Sequence, residues 1–375
     1  MPEQAAGHPP ELAILASFSG EGGVERMVLN LANAFAERGL RIDLLLIRTR
    51  SRHLGELHPA IRVIELGGGH TATSLPSLVR YLRGRRPPCL LAAKDRAGRL
   101  AVLARRLAGV PTRIVVRLGT NLSAALAGRA GIRLWLRRVP IRLLYPRIDC
   151  IIAVSEGVRQ DTVAIAGIDP TRIEVVRNPV ITPRLLELAQ AATPHPWLDN
   201  VDIPVILGAG RLTVQKDFAT LIRAFSRLAE DRPCRLLILG KGRQEAKLRT
   251  LAGELKVGDR VGFPGFTENP YAYMARAGLF VLSSRWEGSP NVLTEAMALG
   301  TPVVATDCPS GPREILANGR HGPLVPVGDW QTMARAMREV LDAPPGRDSL
   351  RGAVREYTAE NSAARYLEIL GVTEK

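Results

Sequence analysis

The feature of this chain that most constrains its fold is a regular alternation between short apolar runs of strand length and longer stretches with helical periodicity. In the first half the candidate strands are residues 12–17, 41–47, 61–66, 89–93, 113–117 and 150–154. In the second half they are residues 204–210, 235–239, 261–263, 279–282 and 302–306. Strands that alternate with helices are typical of parallel, doubly wound sheets. The sequence therefore predicts an α/β protein.

The length of 375 residues, 46% of them hydrophobic, is sufficient for two domains with real cores. Periodicity fades after Asn178 and Pro179, and the prolines at 183, 194 and 196 indicate a linker. We predict a Rossmann-like domain over 1–181, a linker over 182–203, a second Rossmann-like domain over 204–355, and a C-terminal helix over 356–375 that returns to the first domain. Ligands of such sheets bind beyond the carboxyl ends of the strands, so two facing domains predict a central cleft.

The net charge of +15 is concentrated in the first half, where residues 1–180 contain 27 Lys and Arg against 14 Asp and Glu. Such an excess suits nucleic acid, an anionic membrane surface or an acidic substrate. In residues 129–147, arginines alternate with Leu, Ile, Trp and Tyr, which indicates an interfacial segment, although a solvated helix packed on its own domain has the same pattern. Pro140 is expected to break this segment in two. No zinc-finger, RRM or helix-turn-helix pattern supports nucleic acid.

Targeting and cysteine signals point to an intracellular protein. The N-terminus has no basic leader region, and no apolar stretch is long enough to span a bilayer, which predicts a cytoplasmic location. The four cysteines are scattered singly and make no paired metal-ligand spacing. We therefore predict buried thiols, no metal site and no cofactor.

Two carboxylates, Glu287 and Glu295, are separated by seven residues across a Gly-Ser-Pro-Asn turn that leads from an apolar run into a helix. A helix N-terminus offers unpaired amides and a positive dipole end, which favour phosphate or a polar sugar. Carboxylates accept hydrogen bonds from hydroxyls. A sugar nucleotide needs both kinds of group, although solvated acids at a helix start are the ordinary alternative.

Glycines and cations follow two other candidate strands. Gly22 and Gly23 lie after the first strand, where they allow a ligand close to the backbone, or serve only the turn. Arg211 and Lys216 follow the first strand of the second half, before a helix. A fixed Arg with a nearby Lys can neutralise a leaving diphosphate without a metal.

The run from 287 to 329, with the segments 208–218, 236–242 and 262–266, resembles glycosyltransferase family 4, the retaining GT-B enzymes. The resemblance is strong in the second half and weak in the first. It implies a GT-B fold of two Rossmann-like domains that face a central cleft, with the nucleotide-sugar donor in the second domain and the acceptor in the first. The form of the motif at 308–316 resembles enzymes that build bacterial surface glycans or lipid-linked oligosaccharides.

The resemblance also implies a role for each matched residue. Glu295 would bind the ribose hydroxyls and Glu287 the transferred sugar beside its anomeric carbon, while Arg211 and Lys216 hold the diphosphate. No protein nucleophile and no metal would be required. The implied catalytic residues are Glu287, Arg211 and Lys216, and the implied donor-binding residues are Gly22, Gly23, Arg211, Lys216, Gly242, Gly265, Phe266, Asn291, Val292, Leu293 and Glu295. Backbone groups at 265–266 would recognise a pyrimidine edge, with the side chains of Phe263 and Phe266 in the core.

One departure concerns a histidine that many family members carry after a strand of the first domain. The equivalent segment here, residues 91–96, contains Lys94 instead, which either assists by its charge or is a solvated lysine at a strand end.

These observations predict a retaining hexosyltransferase that moves a sugar from UDP-hexose or UDP-N-acetylhexosamine to a lipid-linked or cell-surface glycan. A polyprenyl-diphosphate or lipopolysaccharide acceptor would explain the basic first half. The enzyme would act as a peripheral protein at the inner face of the plasma membrane, with an anionic lipid surface as a partner and no nucleic acid. The alternatives are a GT-B sugar-nucleotide epimerase and a non-enzymatic basic protein that binds membrane or nucleic acid.

Overall fold

The computed structural model describes residues 9–18, 23–49, 52–67, 69–126, 131–192, 195–200 and 202–372, which form two compact units. Unit 1 comprises residues 1–179 and 359–375, and unit 2 comprises residues 180–358. Single turns of 3-10 helix occur at Arg52–Glu56, Tyr145–Arg147, Pro170–Arg172, Pro196–Leu198, Gly258–Arg260 and Arg355–Tyr357.

Unit 1 contains a seven-stranded parallel sheet in the order β3-β2-β1-β4-β5-β6-β7. Its strands are β1 (Leu12–Phe18), β2 (Ile42–Thr49), β3 (Arg62–Glu65), β4 (Cys89–Ala92), β5 (Arg113–Leu118), β6 (Cys150–Ala153) and β7 (Ile173–Val175). Its helices before the second unit are α1 (Gly23–Glu37), α2 (Leu75–Arg85), α3 (Asp95–Ala108), α4 (Leu122–Leu126), α5 (Gly131–Leu144) and α6 (Glu156–Ala166). The predicted doubly wound parallel sheet is confirmed.

Unit 2 contains a six-stranded parallel sheet in the order β10-β9-β8-β11-β12-β13. Its strands are β8 (Val205–Ala209), β9 (Arg235–Leu239), β10 (Val261–Gly265), β11 (Leu279–Leu282), β12 (Val303–Thr306) and β13 (Leu324–Val325). Its helices are α7 (Pro183–Ala189), α8 (Phe218–Asp231), α9 (Glu245–Glu254), α10 (Tyr271–Met274), α11 (Asn291–Ala298), α12 (Pro312–Ile315), α13 (Trp330–Asp342) and α14 (Arg347–Ala353). Both units are Rossmann-like.

Each sheet is covered on both faces, which explains why its strands are continuous apolar runs. In β1, Ala13 and Leu15 pack into one core with α2 and α3, whereas Leu12 and Ile14 pack into a second core with α1. Alternation of this kind follows from the two-residue period of a strand. Unit 2 is built in the same way, with α10 and α11 on one face and α8 and α13 on the other.

The segment 182–203, predicted as a linker, differs from that expectation. It contains α7, and its Leu185, Ala189 and Leu198 are buried in a core of unit 2. Thr182 caps α7 by accepting a hydrogen bond from the Leu185 amide at 3.2 Å. Pro183 and Pro196 stand at helix starts, where proline is favoured, and Pro194 lies outside the described residues.

Helix α15 (Ala359–Leu370) follows unit 2 in the chain and belongs to unit 1. Its Ala363, Tyr366 and Leu367 are buried in the same core as Ile14 of β1. The Arg113 side chain of β5 donates a hydrogen bond of 2.7 Å to the carbonyl of Ile369. Helix α15 therefore completes one face of the first sheet.

The Arg-rich segment from 129 to 147 does not break at Pro140, contrary to the sequence-based expectation. Helix α5 continues through this proline to Leu144. Because Pro140 has no amide hydrogen, the carbonyl of Leu136 receives no helical hydrogen bond from it. Leu136 lies on the exposed side of the helix, so water can donate to this carbonyl instead. None of the helices within the described ranges is long and apolar enough to cross a membrane.

Candidate active site

The candidate site lies at the carboxyl edge of the sheet of unit 2. Strands β8 and β11 are neighbours, but the chain passes through β9 and β10 on one side before it returns to β11 on the other. Open α/β sheets bind ligands beyond such a reversal of strand order. The loop after β8 contains Arg211 and Lys216, and the loop after β11 contains Glu287, so the fold brings predicted residues from distant parts of the chain to one edge.

Three hydrogen bonds hold these two loops together. The Arg285 amide donates to the carbonyl of Gln215 at 2.8 Å, and the Gln215 side chain donates to the carbonyl of Trp286 at 3.0 Å. The hydroxyl of Ser283 donates to the carbonyl of Lys216 at 2.8 Å. The backbone on both sides of Lys216 and Glu287 is therefore fixed before any ligand binds.

Lys216 and Glu287 form an ion pair, with Nζ 2.6 Å from Oε1. The Ser284 hydroxyl donates to the same oxygen at 2.6 Å, and Glu287 is only 8% exposed. A carboxylate has several acceptor positions, and these two bonds both use Oε1. Oε2 is thus the oxygen that a ligand hydroxyl would reach.

A second ion pair, which the sequence did not predict, joins the same two loops. Asp217 is buried in the left-handed conformation (φ 45°) and accepts hydrogen bonds of 3.0 Å from the Thr220 hydroxyl and the Arg285 side chain. Asp tolerates this conformation better than most residues. The pair fixes the turn that presents Lys216. The only signal in the sequence was an acid directly after the lysine.

Arg211 lies at the start of the same loop and is exposed. The amide of Leu212 donates to the carbonyl of Lys241 at 3.0 Å, which ties this loop to the one after β9. Gly242 lies in that second loop, where an added Cβ would be 2.3 Å from the Leu212 carbonyl oxygen. Only glycine fits there, so packing alone explains the glycine at position 242, whether or not it also contacts a ligand.

The turn from 288 to 290 leads into α11, which starts at Asn291 as the strand-loop-helix pattern predicts. Gly311, with φ 89°, lies against this turn, because an added Cβ would be 2.7 Å from Cδ of Pro290. The amides of Asn291 and Val292 lie in the first turn of α11, at the positive end of the helix dipole. The Leu293 amide, in contrast, donates to the Pro290 carbonyl at 3.0 Å, and the Leu293 side chain is buried in the core.

Glu295 lies in the second turn of α11 and is 7% exposed. Cys308, near Glu287, is buried; burial and then the charge of Glu287 raise the pKa of its thiol to about 12. The thiol is therefore neutral at physiological pH and acts as a packing group. The other three cysteines are also buried and free, as predicted.

The predicted base-binding segment, residues 265–266, lies at the carboxyl end of β10. Gly265 has φ 86°, and its carbonyl accepts a hydrogen bond of 2.7 Å from the Gly240 amide. The expectation that Phe263 and Phe266 are core aromatics is wrong for Phe266, which is 41% exposed, whereas Phe263 is half-buried beneath the guanidinium of Arg249. Phe266 follows the last residue of the strand, where the chain leaves the sheet.

The sheet of unit 1 reverses its strand order between β1 and β4. Gly23 starts α1 after β1, and Lys94 directly precedes α3 after β4, so both lie at this edge. Gly22 falls outside the described residues. Lys94 is exposed, and Asp95 beside it pairs with Arg99 at 2.7 Å and accepts a hydrogen bond from the Tyr145 hydroxyl at 2.9 Å.

Two family models together match most of the chain. The model described as "Glycosyl transferase 4-like domain" matches residues 22–179, and the one described as "Glycosyl transferases group 1" matches residues 193–359. These ranges correspond to units 1 and 2.

Two of the curated relatives are named as glycosyltransferases of bacterial glycans. The chain is 34% identical over 250 residues to the N-acetylgalactosamine-N,N'-diacetylbacillosaminyl-diphospho-undecaprenol 4-alpha-N-acetylgalactosaminyltransferase of Campylobacter jejuni, a match that covers 66% of this chain and 65% of the relative. It is 29% identical to the lipopolysaccharide core biosynthesis glycosyltransferase LpsE of Rhizobium meliloti, over 94% of this chain and 97% of LpsE.

Solved structures share the fold. HepE of Anabaena in complex with UDP has a TM-score of 0.77 at 19% identity, over 96% of this chain and 99% of HepE. The lipopolysaccharide outer core galactosyltransferase WaaB has a TM-score of 0.74 at 20% identity, over 96% of this chain and 99% of WaaB. The two domain matches, the relatives and the two Rossmann-like units lead to one conclusion: the chain belongs to the family 4 type of glycosyltransferases with the GT-B fold.

Proposed function

We propose that this glycosyltransferase moves a hexose or N-acetylhexosamine from a UDP-sugar to a lipid-linked or cell-surface glycan, with retention of the anomeric configuration. The Lys216–Glu287 pair carries the proposal, because a cation that could bind a diphosphate lies 2.6 Å from a carboxylate that could accept hydrogen bonds from a sugar. The relatives support the class of acceptor, since one is named for a diphospho-undecaprenol substrate and another for lipopolysaccharide core. HepE has been solved with UDP and with UDP-glucose, which supports the donor.

The proposed reaction needs no protein nucleophile. The bond between the anomeric carbon and the phosphate oxygen breaks, and the acceptor hydroxyl oxygen forms its bond to the same carbon on the same face of the sugar. The acceptor proton passes to the departing phosphate oxygen, and UDP leaves. Arg211 and Lys216 stabilise the charge that accumulates on the diphosphate, so we propose that the enzyme requires no metal.

The carboxylates have separate proposed roles. Glu287 accepts hydrogen bonds from the transferred sugar through Oε2, while Ser284 and Lys216 hold Oε1. Glu295 accepts hydrogen bonds from the ribose. The first-turn amides of Asn291 and Val292 contact the sugar or phosphate, and Gly22 and Gly23 are proposed as further donor-binding residues.

The donor assignment predicts a thermal shift. UDP at about 100 times its dissociation constant should stabilise the protein by ~2.7 kcal/mol, because it binds only the folded state. The measurement is a melting curve with UDP, GDP, CDP and ADP in parallel, followed by transfer assays with UDP-sugars and analysis of the product by NMR. An inverted anomeric configuration would exclude retention, and donor turnover without acceptor would favour an epimerase.

The two carboxylates should separate by role. We expect Glu295→Gln to weaken UDP binding about ten-fold or more, since a hydrogen bond to a charged group contributes about 1.5–3 kcal/mol. Glu287→Gln should change UDP affinity by less than about two-fold and lower kcat, because its partner is the sugar. Calorimetry with UDP on both variants decides between them. Equal losses of affinity, or the reverse order, would show that the two roles are wrongly assigned.

We also propose that unit 1 docks on an anionic membrane. Helix α5 exposes Ile132, Trp135, Leu136 and Leu143, with Trp135 58% exposed. At 3.6 residues per turn these positions fall within one stripe along the helix. Exposed Arg137 and Arg142 lie on either side of this stripe.

Apolar groups between cations suit a lipid interface, where side chains enter the acyl boundary and arginines contact headgroup phosphates. The excess of positive charge in residues 1–180 favours an anionic leaflet over other apolar partners. A membrane-bound acceptor would then be presented to the enzyme in the plane of the bilayer. This proposal places the enzyme at the inner face of the plasma membrane as a peripheral protein.

A further inference from the structure

Three adjacent strands of unit 2 end at glycines with positive φ. Gly210 follows β8 (φ 150°), Gly240 follows β9 (φ 130°) and Gly265 ends β10 (φ 86°). Residues with side chains rarely adopt these conformations. Since the strands are neighbours in the sheet, the three glycines lie side by side along its carboxyl edge.

The glycine backbones are in direct contact. The Gly240 amide donates to the Gly265 carbonyl at 2.7 Å, and an added Cβ on Gly240 would be 2.0 Å from the carbonyl oxygen of Gly210. No side chain can therefore stand between them. Strands in a sheet are about 4.8 Å apart, so the three positions form a backbone floor about 10 Å long. We call these three residues the glycine floor.

A lysine side chain lies over each end of the glycine floor. Cε of Lys216 lies 3.0 Å from the position of an added Cβ on Gly210, so the side chain of this proposed diphosphate ligand lies over the β8 end. Cε of Lys241 lies 3.6 Å from the position of an added Cβ on Gly265, at the β10 end. With the diphosphate at Lys216, the nucleoside would lie toward the far end of the floor.

Lys241 is exposed, and no carboxylate among the described residues forms an ion pair with it. Its ammonium group has three donors and no acceptor, so it can only be satisfied by water or by a ligand that offers an acceptor. The exposed ring of Phe266 follows Gly265 and offers an aromatic surface next to the same end of the floor.

We propose that Lys241 selects the base of the nucleotide donor. Its ammonium donates to a carbonyl oxygen on the edge of a base that lies over the glycine floor. Uracil has a carbonyl at the position where cytosine has an amino group, and an amino group facing an ammonium would leave two donors opposed. The inference deepens the proposed function, because it requires the nucleotide to bind at this edge of unit 2.

The test is the Lys241→Met variant of the full chain, with calorimetry against UDP and CDP. The wild type should prefer UDP by about ten-fold or more, the contribution of one hydrogen bond from a charged group. Lys241→Met should lose about ten-fold to a hundred-fold in UDP affinity and retain its CDP affinity, so that the preference disappears. Lys241→Arg, which keeps the donors, should restore part of it.

Lys247→Met is the matched control, because Lys247 is an exposed lysine of the same unit on α9 and should retain the UDP preference. If Lys241→Met keeps the wild-type ratio, or loses UDP and CDP affinity equally, Lys241 does not read the base and the inference is overturned. A wild type that binds both nucleotides equally overturns it as well. A wild type that binds neither contradicts the proposed donor site itself, which is a different outcome.

Discussion

Lys216→Met is expected to lower kcat by about 10²-fold or more, the typical cost of removing one fixed group that stabilises charge in a transition state. Lys216 lies over Gly210 and is held by Glu287, so its ammonium is positioned before the donor binds. Arg211→Ala should cause a loss of similar size. The measurement is kcat with saturating donor, and Lys247→Met serves as the control for a lost lysine charge.

Structural damage can be separated from lost catalysis. Removing Lys216 leaves the buried carboxylate of Glu287 without its cation, which destabilises the fold. The double variant Lys216→Met with Glu287→Gln removes both charges and should recover melting temperature but not activity. A double variant that recovers activity would show that Lys216 has only a structural role. Chelation by EDTA should not change kcat, and a loss restored by Mg²⁺ or Mn²⁺ would contradict the metal-free mechanism.

The triple variant Trp135→Ser, Leu136→Ser and Leu143→Ser is expected to abolish binding to anionic liposomes. Each large apolar side chain that leaves water contributes about 1.5–3 kcal/mol, so losing three should lower partitioning by about 10³-fold or more. These side chains are already exposed, and their replacement should leave the melting temperature unchanged. Cosedimentation with vesicles of anionic and zwitterionic lipid is the measurement.

The apolar and the charged side chains of the proposed membrane-binding surface of α5 should respond differently to salt. Arg137→Glu with Arg142→Glu should weaken binding most at low ionic strength, because each cation near an anionic surface contributes about 1 kcal/mol and this contribution is screened. Leu186→Ser, a comparable exposed leucine on α7 of unit 2, should bind like the wild type. A triple serine variant that still sediments with anionic vesicles would rule out α5 as the anchor.

The sequence predicted those strands best that are unbroken apolar runs. The bounds of β9 and β11 agree with the prediction at both ends, because each strand contains four consecutive buried apolar residues. The edge strands β7 and β13 were not predicted, since three and two residues are too few for a periodic pattern. Helix α5 was wrongly divided, because the cost of a proline depends on whether water reaches the freed carbonyl.

The parts of the site were easier to predict than their pairing. The order of strand, turn and helix around Glu287 and Glu295 is local, and the structure has it as predicted. The pairing of Lys216 with Glu287 joins residues 71 positions apart, and that of Asp217 with Arg285 joins residues 68 apart. Both pairings depend on β11 lying next to β8, and this order of strands is a property of the whole sheet that no local pattern specifies. The exposure of Phe266 depends on the same tertiary context.

Helix α15 has a consequence for how the chain is made. Unit 2 is one continuous stretch from Val180 to Thr358, so it can fold as soon as that stretch has left the ribosome. Unit 1 is encoded first, but the face of its sheet around Ile14, which α1 covers in part, lacks the rest of its cover until Tyr366 and Leu367 have been synthesised. During translation of the whole of unit 2, the part of that apolar face which α15 later covers is accessible to water and to chaperones. A premature stop after residue 358 would thus release a chain whose second unit is complete and whose first unit remains open.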